Sequence, residues 1–129
     1  MSPNDTLKNV LLLDAVTCLG AGALMAFASN FVSGLTAIPA PLLYWAGLFL
    51  FPVAALMIAT GLQAVPSRQL VWLIIFGNAA WVAASIALFA IISPNALGVA
   101  FILAQAATVA ILTLMEHSAL QRSSVGAAA

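Results

Sequence analysis

The sequence predicts an all-α membrane protein, with four transmembrane helices in an up-down-up-down bundle and both termini on the cytoplasmic side. Three observations carry this prediction. Hydrophobic residues fill 65% of the 129 positions, only three basic and three acidic residues are present, and the apolar residues fall into four nearly unbroken runs. The runs occupy 10–29, 41–62, 70–92 and 97–115. Each is about 20 residues long, which at ~1.5 Å per residue crosses a hydrocarbon core of about 30 Å. A water-soluble domain of this size has too little polar surface to cover so much apolar area. With their flanks the spans are expected at about 8–29, 40–62, 69–92 and 95–117, a single domain filling 1–129.

The orientation follows from the charges. Lys8 precedes the first span, Arg68 lies between the second and third, and Arg122 follows the fourth, while the connections at 30–40 and 93–95 carry no Lys or Arg. Basic residues in short loops stay in the cytoplasm, so both termini are expected inside, with two short loops outside. Ala26-Phe27-Ala28 imitates a signal-peptidase site after an apolar run. The run is too long for a signal h-region and Asp14 interrupts it, so the first segment is expected to be a retained span.

The punctuation fits helices. Ser2-Pro3-Asn4-Asp5 reads as a variant capping box with Pro at the first helical position. Pro39 and Pro41 stand at the start of span two, where Pro is tolerated, and Pro52 inside it is expected to kink the helix and free the carbonyl of Leu48. Ser67 is a candidate N-cap for span three. Ser93-Pro94-Asn95 is a tight turn that joins spans three and four as an antiparallel hairpin, and the small-residue tail 123–129 is expected to fray.

Asp14-Ala15 and the small-residue run after it align with Asn78-Ala79 and a similar run. One reading is a parallel repeat of two hairpins about an axis along the membrane normal. The other is that two Ala- and Gly-rich apolar helices simply look alike.

The polar residues inside the spans are the candidate carriers of chemistry. At three- and four-residue spacing, Asp14, Thr17, Cys18, Ala21 and Met25 share a face of span one. Asn78, Trp81, Val82, Ser85 and Phe89 share one of span three, and Gly98, Phe101, Gln105, Thr108, Leu112 and Glu116 one of span four. Span two offers Gly47, Ala54 and Ala55 for close packing, with Thr60 and Gln63 near its cytoplasmic end. Close approach elsewhere is expected at Gly20, Gly22, Ala79, Ala80, Ala83, Ala84, Ala104 and Ala107.

Asp14 is the sharpest candidate. It lies on the order of 6–10 Å inside the apolar layer, where a carboxylate costs several kcal/mol unless paired, hydrated or protonated. No Lys or Arg within the apolar runs can pair with it, whereas Asn78 at similar depth can donate an amide hydrogen. The functional reading is a proton- or ligand-binding carboxyl; the structural one is an acid bonded to Asn78 that glues helices together. Glu116 and His117 are expected to end span four at the cytoplasmic interface, either as a charged rim or as a proton relay. Trp81 is expected either to fill the core or to line a cavity with Phe101. Cys18 is expected to be a small core residue, and Tyr44, Trp45 and Trp72 to lie in interfacial aromatic belts. One His and one Cys cannot build a structural metal site, so no metal or other cofactor is expected. No nucleic-acid surface or phosphate-binding loop is present in the sequence.

Asp14, Pro41, Gly47, Pro52, Asn78-Ala79-Ala80-Trp81-Val82, Ser85 and Gln105-Ala106 resemble a loosely defined family of small bacterial four-span inner-membrane proteins of unassigned role. The resemblance covers nearly the whole chain and implies a bacterial inner-membrane location. Small multidrug-resistance exporters also have four spans and an acid in the first. This chain departs from them in having Asp14 rather than Glu, a one-sided basic bias that opposes dual insertion, and no recognisable aromatic-rich substrate pocket. The functional expectation is a non-enzymatic helix bundle that acts by assembly or binding. It would serve as an accessory subunit of a membrane complex, or as a binder of a lipid-like or quinone-like molecule, alone or as a homo-oligomer. The alternative is a small proton-coupled transporter using Asp14, as an oligomer. A membrane enzyme or redox protein with a cofactor near His117 or Glu116 is the least favoured class. The site candidates are Asp14, Asn78, Trp81, Ser85, Gln105, Glu116 and His117.

Overall fold

A computed structural model describes residues 3–123. Among them are five α-helices and no strand: α1 (Pro3–Phe27), α2 (Ser29–Thr36), α3 (Ala40–Gly61), α4 (Arg68–Ala87) and α5 (Ala96–Arg122), with a 3-10 turn at Leu88–Ala90 after α4. Four helices are long and apolar enough to cross a membrane: α1, α3, α4 with its 3-10 turn, and α5. Pro3 opens α1, whereas the expected cap Ser2 and residues 124–129 of the tail lie outside the described residues. Ser67 occupies the N-cap position of α4 with extended backbone, but its side chain makes no capping bond. The adjoining loop is instead braced by Gln63, whose Oε1 accepts from the Ser67 N–H at 2.7 Å.

Two boundaries differ from expectation. The connection at 30–40 is not an open loop, because its first part folds as α2 and buries Val32 and Thr36. Val32 and Thr36 lie against the other helices while Phe31 and Leu35 are exposed, and close to a bilayer the backbone must satisfy its own hydrogen bonds. Ala37 then closes the helix in the left-handed region (φ 59°), its N–H bonded to Ser33. The fourth span runs on to Arg122 instead of ending near 117, which changes the position of Glu116 relative to the helix end.

α1 is the most enclosed span: 44% of its apolar window is buried, against 28%, 22% and 22% for α3, α4 and α5. It packs along α3 and also against α5, and α5 pairs with α4, whereas α3 and α4 scarcely touch. The helices thus form an arc in the order α3–α1–α5–α4, open between its two ends. Leu7, Leu11, Ala15, Cys18 and Met25 of α1 meet Leu43, Leu50, Ala54 and Met57 of α3 in the core. Their three-, four- and seven-residue steps place each set on one face of its helix.

Small residues set the distance at that crossing. A Cβ on Gly47 would lie 2.6 Å from the backbone N of Ala26 and 2.9 Å from the carbonyl of Gly22, so the two backbones touch there. In lipid, where apolar burial alone does not drive helices together, such close packing supplies much of the attraction. Most of the other small residues expected at contacts are not at one. Gly22 is buried, but Gly20, Ala55, Ala79, Ala80, Ala83, Ala84, Ala104 and Ala107 are exposed. Several of these share a helical face with other small residues, and sequence spacing alone did not distinguish a packed small face from a lipid-facing one.

The end of the arc opposite the basic residues is fastened by Asn95. Its Oδ1 caps α5 by accepting from the Gly98 N–H (2.9 Å), its Nδ2 donates to the carbonyl of Leu35 (2.9 Å), and its backbone N–H donates to that of Thr36 (3.1 Å). Gly98 is required beside this staple, since a Cβ there would collide with the Thr36 carbonyl.

Gly47→Leu is expected to destabilise the fold by roughly 1–3 kcal/mol, the range for overpacking a close contact. Gly77→Ala, where a Cβ meets nothing within 4 Å, is expected to be near neutral. Thermal unfolding of both variants in the same detergent or nanodisc checks this.

Candidate functional site

Two clusters of buried and half-buried polar side chains join the long helices. In the first, Asn78 of α4 reaches between α1 and α5, and its Nδ2 donates one hydrogen to Asp14 Oδ2 at 2.8 Å and the other to Glu116 Oε1 at 3.0 Å. Asp14 and Glu116 are 1% and 0% exposed, and both carboxyls accept from the same amide nitrogen. The Cys18 thiol lies one helical turn on from Asp14 and approaches its Oδ1 at 3.8 Å, with Met57 Sδ 3.9 Å on its other side. Glu116 Oε2 is buried with no hydrogen-bond partner among the described residues.

The placement of Glu116 overturns the expectation of an interfacial rim residue. α5 continues six residues past it, about 9 Å at 1.5 Å per residue, and its carboxyl turns inward to the Asn78 amide. His117 is one residue further along, about 100° around the helix, and is exposed. Its ring stands edge-on to Trp72 (5.6 Å, 67°) and approaches Gln121 at 3.4 Å. The structure therefore brings Glu116 into the cluster and leaves His117 outside it.

The second cluster lies further along α4 and α5, toward the Asn95 end. Trp81 Nε1 donates to Gln105 Oε1 (2.7 Å), Gln105 Nε2 donates to Ser85 Oγ (2.8 Å) and to the Ile102 carbonyl (3.0 Å), and Ser85 Oγ donates to the Trp81 carbonyl (2.8 Å). The polar hydrogens of all three side chains are spent internally, as a low-dielectric interior demands. This cluster is a clasp between α4 and α5.

Cavities surround these clusters. The opening between α3 and α4 is a cleft of about 470 Å³, walled by Phe49, Leu50 and Val53 on one side and by Gly77, Asn78 and Trp81 on the other. A smaller space of about 150 Å³ between α1 and α5 is bordered by Asp14, Cys18, Trp81, Gln105 and Thr108. A third, also about 150 Å³, lies among Met25, Leu43, Trp81, Ser85 and Phe101. Trp81 borders all three, so it lines cavities beside Phe101 while half-buried against the core. Asn78 borders the cleft and Asp14 the α1–α5 space, so the hydrogen-bonded trio stands between two cavities.

Protein-family models, curated proteins and solved structures were all compared with this chain, and none of them matches it. The functional reading therefore rests on the geometry.

What the site can do follows from its donors and acceptors. Two carboxyls against one amide, with no Lys or Arg in the apolar part of any span, form an acceptor-rich site in which a proton is the smallest cation able to relieve the crowding. Among the described residues no group of three or more His, Cys, Asp or Glu has metal-binding geometry. Sequence reasoning had Asp14, Asn78, Glu116, Trp81, Ser85 and Gln105 among its candidates but took Cys18 for a core residue, and it did not find the cleft, which depends on α3 and α4 standing apart.

Asn78→Ala is expected to cost about 2 kcal/mol or more, mainly because it strips two buried carboxyls of their common donor. Single interhelical bonds in membranes average less than 1 kcal/mol, so a cost of that size would separate stranded carboxyls from simple loss of one bond. In an Asp14→Ala background the same change is expected to cost measurably less. A double-mutant cycle by reversible unfolding in mixed micelles reads the coupling.

Proposed function

We propose that this chain is a non-enzymatic integral membrane helix bundle that binds a lipid-like or quinone-like molecule, entering from the bilayer between α3 and α4. The supporting observation is the α3–α4 cleft: its volume of about 470 Å³ falls in the range of small-molecule sites, roughly 300–1,000 Å³. Its lining is apolar apart from Asn78, Trp81 and Cys18, the composition that suits a hydrophobic body with one oriented polar group. Phe49, Leu73, Phe76 and Ile86 on the flanking outer surfaces are exposed and belong in lipid, so such a ligand reaches the cleft without crossing water. As an accessory subunit or a homo-oligomer the bundle would present this cleft to a neighbouring membrane protein.

The expected location is a bacterial inner membrane with both termini cytoplasmic, in keeping with Lys8, Arg68 and Arg122 at one end of the helices. A cysteine introduced at Ser93 is then expected to react with a membrane-impermeant thiol reagent added outside, and one at Gln63 is not.

Ala80→Trp places an indole in the cleft from an exposed position that borders it. Wild-type protein purified in native-membrane nanodiscs is expected to retain an apolar small molecule at about one per chain, seen by native mass spectrometry, and Ala80→Trp to lose it. Equal retention by both proteins would count against the cleft.

A second reading, a small proton-coupled transporter working as an oligomer, is favoured by one observation. Asp14 and Asn78 are bonded to each other and border adjoining cavities that share Cys18, Leu50, Trp81 and Val109 in their walls, so a proton on the carboxyl pair would lie beside both. In proteoliposomes this reading expects pH-gradient-driven uptake or efflux of a hydrophobic cation that Asp14→Asn abolishes. Unchanged flux in Asp14→Asn would remove it.

A further inference from the structure

The polar groups on the cleft wall are unequal in a way that restricts what it can hold. Three residues bordering it carry hydrogen-bond donors: Cys18, Asn78 and Trp81. The Cys18 thiol is directed at Asp14 Oδ1 and Met57 Sδ, both Asn78 amide hydrogens are given to Asp14 and Glu116, and the Trp81 N–H is given to Gln105. No donor is left for a ligand. The acceptor side is different, because Asn78 Oδ1 receives no hydrogen bond from any described group. It is also not among the buried side-chain atoms sealed off without a partner, and its residue borders the cleft.

The amide is held this way round by its neighbours. Two carboxyls facing one side of an Asn need donors, so the NH2 must face them and the carbonyl must face away. The same carboxyls that make the buried cluster thus set the polarity of the cleft. The cleft also has a flat aromatic feature: Phe49 on α3 and Trp81 on α4 lie with ring planes 3° apart and centroids at 6.4 Å, a stacked pair too close to admit a third ring between them but with edges beside which a planar ring packs.

We infer that the cleft selects a tailed aromatic ring bearing a free hydroxyl, the chemistry of a reduced quinone, with Asn78 Oδ1 as the acceptor that reads the hydroxyl. This rests on the cleft-binding reading above and narrows it. A quinone, ester or ether head brings acceptors only, so it enters with its oxygen unpartnered and leaves Asn78 Oδ1 unpartnered as well. Loss of one such neutral hydrogen bond lowers affinity by roughly three- to tenfold. A phosphate head adds charge that nothing in the cleft neutralises.

The test uses two probes of nearly equal size and hydrophobicity, 4-decylphenol and its methyl ether, which lacks the donor. Saturable binding above partition into empty nanodiscs is measured by equilibrium dialysis on wild type, Ala80→Trp and Gly77→Leu, the last built where a Cβ meets nothing within 4 Å. The expected result is that wild type binds the phenol three- to tenfold more tightly than the ether, and that both cleft-filling variants lose the saturable component. Equal affinity for phenol and ether, with both lost in the filled variants, overturns the hydroxyl assignment and leaves the cleft reading standing. Absence of saturable binding to wild type, or binding that survives both filling substitutions, overturns the cleft reading and this inference together. Neither arm depends on altering Asn78, so a folding defect at the polar cluster cannot imitate either outcome.

Discussion

The two hydrogens of the Asn78 side-chain amide tie three spans together. One goes to Asp14 on α1 and the other to Glu116 on α5, while Asn78 itself rides on α4. In water this would be an ordinary polar contact of about 1 kcal/mol. Inside a bilayer its importance lies in the alternative, since two carboxyls without a donor or a cation are costly to hold among apolar side chains. α3, which supplies no polar partner to this cluster, is attached by packing instead, with Gly22 and Gly47 bringing its backbone against α1.

The open edge of the arc follows from this division of labour. α1 is engaged on one side by α3 and, on another, by α5; α4 is engaged by α5 through the Trp81–Gln105–Ser85 clasp and by α1 through Asn78. α3 and α4 meet where Trp81 stacks with Phe49. Around Trp81 the wall that α4 turns toward α3 is built from Gly77, Ala80 and Ala84, side chains too short to cross to α3. A cleft remains where a larger residue would have filled the space. The acceptor that Asn78 turns away from the carboxyls is the far side of the same amide that holds the bundle, so in the proposed reading structure and recognition share one residue.

At the opposite end Asn95 does for the loops what Asn78 does for the spans. It caps α5 and binds two carbonyls at the end of α2. With Gly98 admitting the Thr36 carbonyl, this anchors the α1–α2–α3 half to the α4–α5 half away from the carboxyl cluster. The two fastenings lie at different depths, and the cleft lies around the level of the first, from Leu73 to Ala84 along α4.

The amino-acid sequence by itself determined the four spans and the turn after the third, because run length against bilayer thickness is a one-dimensional property. It also pointed to Asp14, Asn78, Ser85 and Gln105 as polar side chains gathered on single helical faces. The folding of 29–36 as a short helix was not legible, because its apolar positions are too few to stand out from a loop. The inward turn of Glu116 was hidden by its position near basic and polar residues, which in sequence looks like the edge of the membrane. Which small residues pack and which meet lipid, and the cleft itself, were decided only by tertiary structure. Both depend on which helices are neighbours, and similar small-residue faces on several helices leave that choice to the partners found by Asn78, Gln105 and Gly47.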